Sequence, residues 1–249
     1  MSNTLKNQGQ NTLQASAPES PSILTTLLGS TPLADFLEHF YRRSPFYRQG
    51  GCCHLRHLGS WEALQTTINR DTVYSHPGLK TNARGLVESL VEVRALMKQG
   101  YNVANHNVEN RHAGLANLAG AFRRDFGDLT DVSIFCTGTD QPGAAWHTDE
   151  EDVFVLQTVG AKEWNLQEDT KWHYVHESDD EEERRSGVID YQRFFLHEGD
   201  WLYVPSGYLH RTRGIRESVS LSINVHTSSG LSVTSALWSH LMRLSRSAK

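Results

Sequence analysis

The pattern of apolar and polar positions divides the chain into two parts. In the first, apolar residues recur at helical spacing. Ser22-Ile23-Leu24-Thr25-Thr26-Leu27-Leu28 and the stretch from Pro32 to Tyr41 predict a short helical region, with Thr31 as N-cap and Pro32 in the first turn. Further helices are predicted from Leu86 to Lys98 and from Ala113 to Phe126, with Gly127 closing the latter. The front third is therefore expected to be mainly helical. From Asp131 the period shortens. Val132 to Cys136, Asp152 to Thr158, Lys162 to Leu166, Asp200 to Val204 and Val219 to Val225 are short runs rich in Val, Ile, Phe, Trp and Tyr, divided by Gly, Pro, Asp or Ser, as in a β-barrel or sandwich. Ser218 to Asn224 alternates most cleanly. Val219, Leu221 and Ile223 fall on one face, and Ser218, Ser220, Ser222 and Asn224 fall on the face that would line a cavity.

Three stretches lie outside this pattern. Residues 1–22 are rich in Ser, Asn, Gln and Pro and read as a disordered tail. Between Gln167 and Gln192 runs Glu177-Ser178-Asp179-Asp180-Glu181-Glu182-Glu183-Arg184-Arg185, which reads as a solvated loop, with a lid or a docking surface for a basic substrate as the alternative. In 231–246, Val233, Leu237, Leu241 and Leu244 share a helical face that would cover the barrel or form a homodimer. The expected organisation is a tail over 1–22 and one catalytic domain over 23–249. Within that domain the helical part is 23–130, the barrel 131–228 and the C-terminal helix 231–246. The expected fold class is mainly β with flanking helices.

Composition narrows the function classes. A chain of 249 residues has room for one sizeable domain. A net charge of -5 offers no global basic field, so nucleic acid is an unlikely partner. Cys52, Cys53 and Cys136 make no disulfide framework, and a reducing cytoplasmic location is expected. No apolar run approaches the ~18 residues that a membrane helix needs. Neither a G-x-S-x-G elbow nor a Walker loop is present, which removes the serine-hydrolase and phosphate-loop readings.

The chemistry centres on Trp146-His147-Thr148-Asp149 and on His210. In an extended segment His147 and Asp149 point the same way, and His210, after the strand and turn Gly199 to Leu209, can supply a third donor. Two imidazoles and one carboxylate on one face of an octahedral ion leave its other face open. A lone H-x-D triplet is weak evidence; the turn before it, Pro142-Gly143-Ala144-Ala145, and the apolar strand after it raise its weight. Cys52-Cys53-His54 with His57 lacks a second ligand pair, and His173 and His176 read as loop residues.

These residues resemble the JmjC and cupin-like iron(II)/2-oxoglutarate oxygenases, close to the ribosomal oxygenases and the asparaginyl hydroxylase of the hypoxia pathway. Trp146 to Asp149, Val155 to Trp164, Gly199 to His210 and Ser220 to Asn224 carry the resemblance, which covers roughly Tyr101 to His226. It implies a double-stranded β-helix (cupin or jelly-roll) with Fe(II) on His147, Asp149 and His210. It also implies 2-oxoglutarate and O2 as co-substrates, Lys162 on the distal carboxylate of 2-oxoglutarate, and Ser222 and Asn224 close by. Ala144 stands where some relatives carry a hydroxyl residue. Ribosomal oxygenases continue into dimerisation and winged-helix regions that are not seen here. The implied reaction is hydroxylation of a peptide or protein side chain, an amino acid or a small metabolite, with succinate and CO2 as co-products. Trp146, Tyr203, Tyr208 and Arg213 are expected near the mouth. The competing readings are a metal-dependent cupin isomerase or lyase that consumes no oxygen, and a catalytically silent binding barrel. Lys162 discriminates against the first, since such an enzyme has no need of a buried cation for a dicarboxylate.

Overall fold

Helices back one of two antiparallel sheets in the computed structural model, which describes residues 22–69, 72–75, 83–84, 87–127, 129–167 and 191–226. The helices are α1 (Ile23–Leu28), α2 (Leu33–His39), α3 (Trp61–Thr67), α4 (Leu90–Lys98) and α5 (Ala113–Phe126). The strands are β1 (Phe46–Arg48), β2 (Val73–Ser75), β3 (Ala83–Arg84), β4 (Asn102–Asn105), β5 (Leu129–Thr137), β6 (Asp152–Val159), β7 (Ala161–Gln167), β8 (Gln192–His197), β9 (Trp201–Val204), β10 (Leu209–Gly214) and β11 (Ser218–His226). A large sheet has the order β1-β9-β6-β11-β5-β4-β2-β3, and a small one the order β10-β7-β8.

Alternation along the strands decides what fills each side. On β6, Phe154 and Leu156 join the core under the helices, whereas Val153 and Val155 join a second apolar cluster with Trp164, Leu166 and Leu196 of the small sheet. β9 repeats the division: Trp201 and Tyr203 face the helices, Leu202 and Val204 face the small sheet. β11 places Val219, Leu221, Ile223 and Val225 in the helix-side core. Its other face meets no such cluster, and the space left between the sheets there is the cavity described below.

Several local expectations are corrected. Pro32, not Thr31, is the N-cap of α2, and no side chain caps it. The helix expected from Leu86 begins at Leu90, because the Ser89 hydroxyl accepts from Glu92 N–H and sets the start there. α5 runs from Ala113 to Phe126, with Gly127 in the left-handed conformation at φ 73°. The front third contains β1 to β4 as well as helices. These strands are two to four residues long, too short to show a period. β8 and β10 also fall outside the expected runs. Ser22 belongs to the fold and not to a tail: it caps α1 and donates to Asp125 Oδ2 at 2.7 Å. The rest of the N-terminal stretch, the acidic run and the 231–246 helix lie outside the described residues.

Candidate metal centre

The segment that joins β5 to β6 runs along β10, with Pro142 opposite Arg213 and His147 opposite His210. His147 N–H donates to His210 O at 3.0 Å, and His210 N–H donates to His147 O at 2.8 Å. Directly opposed residues in an antiparallel pair project to the same side. The two imidazoles accordingly lie with centroids 4.1 Å apart. Asp149, two residues on, presents its carboxylate to both rings, 3.7 Å from His147 Nε2 and 3.5 Å from His210 Nε2. Ligand atoms of all three residues lie within 4.8 Å of one another, the one such group among the described residues.

The donor chemistry suits a divalent transition metal. His147 Nδ1 lies 2.8 Å from Ala145 O and His210 Nδ1 lies 2.9 Å from Tyr208 O. A carbonyl only accepts, so each Nδ1 carries the proton and each Nε2 keeps a lone pair for a metal. Burial, with His147 as neighbour, pushes the His210 pKa down to about 4 against the opposing pull of Asp149. His210 is therefore neutral at ordinary pH, the form that ligates.

The three donors open onto a cavity of about 420 Å³ between the sheets. Lys162 lies on its wall, 3% exposed, and its Nζ donates to Ser220 Oγ at 3.3 Å. This is no exposed hairpin lysine. Burial lowers its pKa to about 8, with Cys136 acting in the opposite direction. Ser222 and Asn224 also line the cavity, but their hydrogen bonds run to each other and to Asp131: Ser222 Oγ to Asn224 Oδ1 at 2.9 Å, and Asn224 Nδ2 to Asp131 Oδ1 at 2.8 Å. Asp131 continues to His226, whose Nδ1 lies 3.2 Å from Glu151. The rim beside Asp149 is thus acidic on two further sides.

Ser220, the partner of Lys162, stands on the polar face of β11, where the alternation placed it, whereas two other lining groups, Thr212 and His106, were not expected from the sequence. Thr212, two residues from His210 on the same strand face, accepts from Ala144 N–H at 2.9 Å, so a hydroxyl does stand beside the alanine position. His106, with Nδ1 3.0 Å from Ser133 Oγ, carries no sequence signal, because it follows β4, a strand too short to show a period. The four residues expected at the mouth do not line the cavity. Trp146 packs under the Arg211 guanidinium at 4.9 Å, Tyr203 is in the helix-side core, Tyr208 donates to Arg43 O at 2.8 Å, and Arg213 lies 3.6 Å from Asp140. Cys52, Cys53 and Cys136 are free thiols, and His173 and His176 lie outside the described residues.

Comparison with known proteins agrees with this architecture. The family profile described as JmjC domain matches residues 115–233. Ribosomal oxygenase 2 of Mus musculus is 34% identical over 104 residues, which are 41% of this chain and 22% of that protein. The bifunctional lysine-specific demethylase and histidyl-hydroxylase NO66 of Drosophila persimilis is 26% identical over 218 residues, 81% of this chain and 31% of that protein. The chain thus spans about a fifth to a third of the length of these relatives. Among solved structures, YcfD, a ribosomal oxygenase from Escherichia coli, superposes with a TM-score of 0.60 at 20% identity over 87% of this chain and 57% of that one. The same protein in complex with cobalt and 2-oxoglutarate gives 0.55 at 20% identity, covering 85% and 56%. With two antiparallel sheets around a His-Asp-His centre and a profile match that includes all three donors, residues 115–233 of the chain are similar to a JmjC domain.

Proposed function

We propose that this chain is an Fe(II)- and 2-oxoglutarate-dependent dioxygenase that hydroxylates a side chain of a protein or peptide. One observation carries the reading: a His-Asp-His donor set and a buried ammonium, Lys162, share one cavity. An isomerase or lyase needs the first and has no use for the second. Bound iron supplies activation of O2 coupled to decarboxylation of 2-oxoglutarate, yielding succinate, CO2 and the hydroxylated product.

The chain's own residues bind and orient. His147, Asp149 and His210 hold the metal on one face and leave the other face free for co-substrate and oxygen. Lys162 neutralises the distal carboxylate of 2-oxoglutarate, a compact cation for a dicarboxylate terminus. Thr212 and Ser220 offer hydroxyl groups to the same cavity, one from each sheet. Val153, Val155, Phe135 and Trp164 keep water from the reacting atoms. A protein substrate is favoured over a free metabolite because a relative is named for lysine-specific demethylase and histidyl-hydroxylase activities, both amino-acid side-chain reactions. Ferrous iron and three free thiols suit a reducing, cytoplasmic setting.

The test is succinate release from 2-oxoglutarate by the full chain with Fe(II) and a peptide pool, with mass spectrometry of the peptides for a gain of one oxygen. His147→Ala and His210→Ala should each abolish both signals. Turnover retained in either variant overturns the metal assignment, and wild-type protein that fails to bind 2-oxoglutarate overturns the oxygenase reading.

A further inference from the structure

Arg42 has φ 57°, a left-handed conformation that residues with a Cβ rarely hold. That bend lets both ends of the residue reach one place. Its backbone N–H donates to Tyr203 Oη at 2.8 Å, and its guanidinium Nε donates to Asp152 Oδ2 at 3.4 Å. The Tyr203 hydroxyl donates to Asp152 Oδ1 in a short bond, which closes a ring of three residues. Asp152 and Tyr203 are both fully buried.

The ring stands between the two turns that carry the metal donors. Asp152 is three residues past Asp149, and Tyr203 leads into Pro205-Ser206-Gly207, just before His210. Asp152 Oδ1 also accepts from Ser206 N–H at 3.4 Å, Ser206 Oγ donates to Glu150 O at 2.8 Å, and Gly207 N–H donates to Asp149 O at 2.9 Å. The backbone of one donor is therefore fastened to the turn that delivers another. A buried carboxylate and a strained arginine are a costly way to gain stability alone, since an apolar pair of like volume would serve at least as well.

We propose that Asp152, locked by Tyr203 and Arg42, is a positioning residue of the metal centre: it sets Asp149 against His210 and so governs metal affinity and coordination geometry without touching the ion. The proposal rests on the metal reading above. Its test uses Co(II) as the probe on the full chain, followed by titration and visible absorption, with no turnover required. Asp152→Asn keeps shape and removes the charge; Tyr203→Phe removes one hydroxyl and guards against a misfolded Asp152 variant. Leu64→Ala, in α3, is the comparator for plain loss of stability, measured by urea unfolding without metal. Both ring variants should bind Co(II) about 10–100-fold more weakly with displaced absorption bands. Leu64→Ala should unfold earlier yet keep wild-type affinity and spectrum. Wild-type Co(II) affinity and spectrum in both ring variants would overturn the proposal, as would an equal loss in Leu64→Ala. Wild-type protein that binds no Co(II) would overturn the metal reading, and this inference with it.

Discussion

Lys162 sits almost wholly buried with Ser220 Oγ at 3.3 Å, and burial brings its pKa down to about 8. An ammonium so placed gains most when a carboxylate arrives, because attraction is strong where water is excluded. Binding of 2-oxoglutarate needs the protonated form, so affinity should hold below pH 8 and fall as pH rises through about 8, where the empty site loses its proton. Lys162→Ala should weaken binding about 10–100-fold, the range for a lost charge-assisted hydrogen bond, and flatten that pH dependence. Calorimetric titration of 2-oxoglutarate from pH 6.5 to 9 with an inert divalent ion in the site checks both. At this scale spacing fixed the common facing of His147 and Asp149 alone; His210 comes from another strand and Lys162 was expected from the resemblance, and all four line the cavity. Ser222 and Asn224 reach its wall too, but their bonds go to each other and to Asp131, a partner ninety-three positions away that no local pattern reveals.

Among the elements, the passage from β6 to β7 is the most demanding. One residue, Gly160, carries the chain from the large sheet to the small one at φ 71°. A Cβ there would lie 2.0 Å from Glu217 O, a backbone atom that cannot step aside. Gly160→Ala should therefore cost about 2 kcal/mol or more, from the left-handed conformation together with the clash. It should also weaken 2-oxoglutarate binding, because Lys162 begins two residues later. Urea unfolding and ligand titration of the same variant separate the two effects. Long elements were readable for a plain reason. α5 repeats its apolar face over four turns, and β11 alternates over nine residues, so each pattern has enough periods to stand out. β1 to β4 do not, and β10 reads Leu-His-Arg-Thr-Arg-Gly, whose inward residues are polar because they face the cavity.

For the whole molecule, the helices cover the outer face of the large sheet, which lies across the cavity from the β10 strand that carries His210. Phe154 is the hinge of that packing, 0% exposed, with Phe122, Phe126 and Tyr203 at centroid separations of 5.0, 5.2 and 4.9 Å. Phe154→Ala should cost about 3–5 kcal/mol, the usual range for emptying an aromatic from a closed core, read by calorimetry as a fall in Tm. The sequence by itself indicated the class of fold, through alternation that sets facing, and a candidate His-Asp-His donor set, through residue type; Lys162 was expected only from the family resemblance, and its burial is a tertiary fact. Only the tertiary structure decided that His147 and His210 are direct cross-strand partners. It also decided that Trp146, Tyr203, Tyr208 and Arg213 turn away from the cavity, and that Arg42 from the helical region closes a ring beside the centre. Those outcomes depend on which strands pair and in what register, and pairing is set by burial summed over the whole sheet and not by any single stretch of chain.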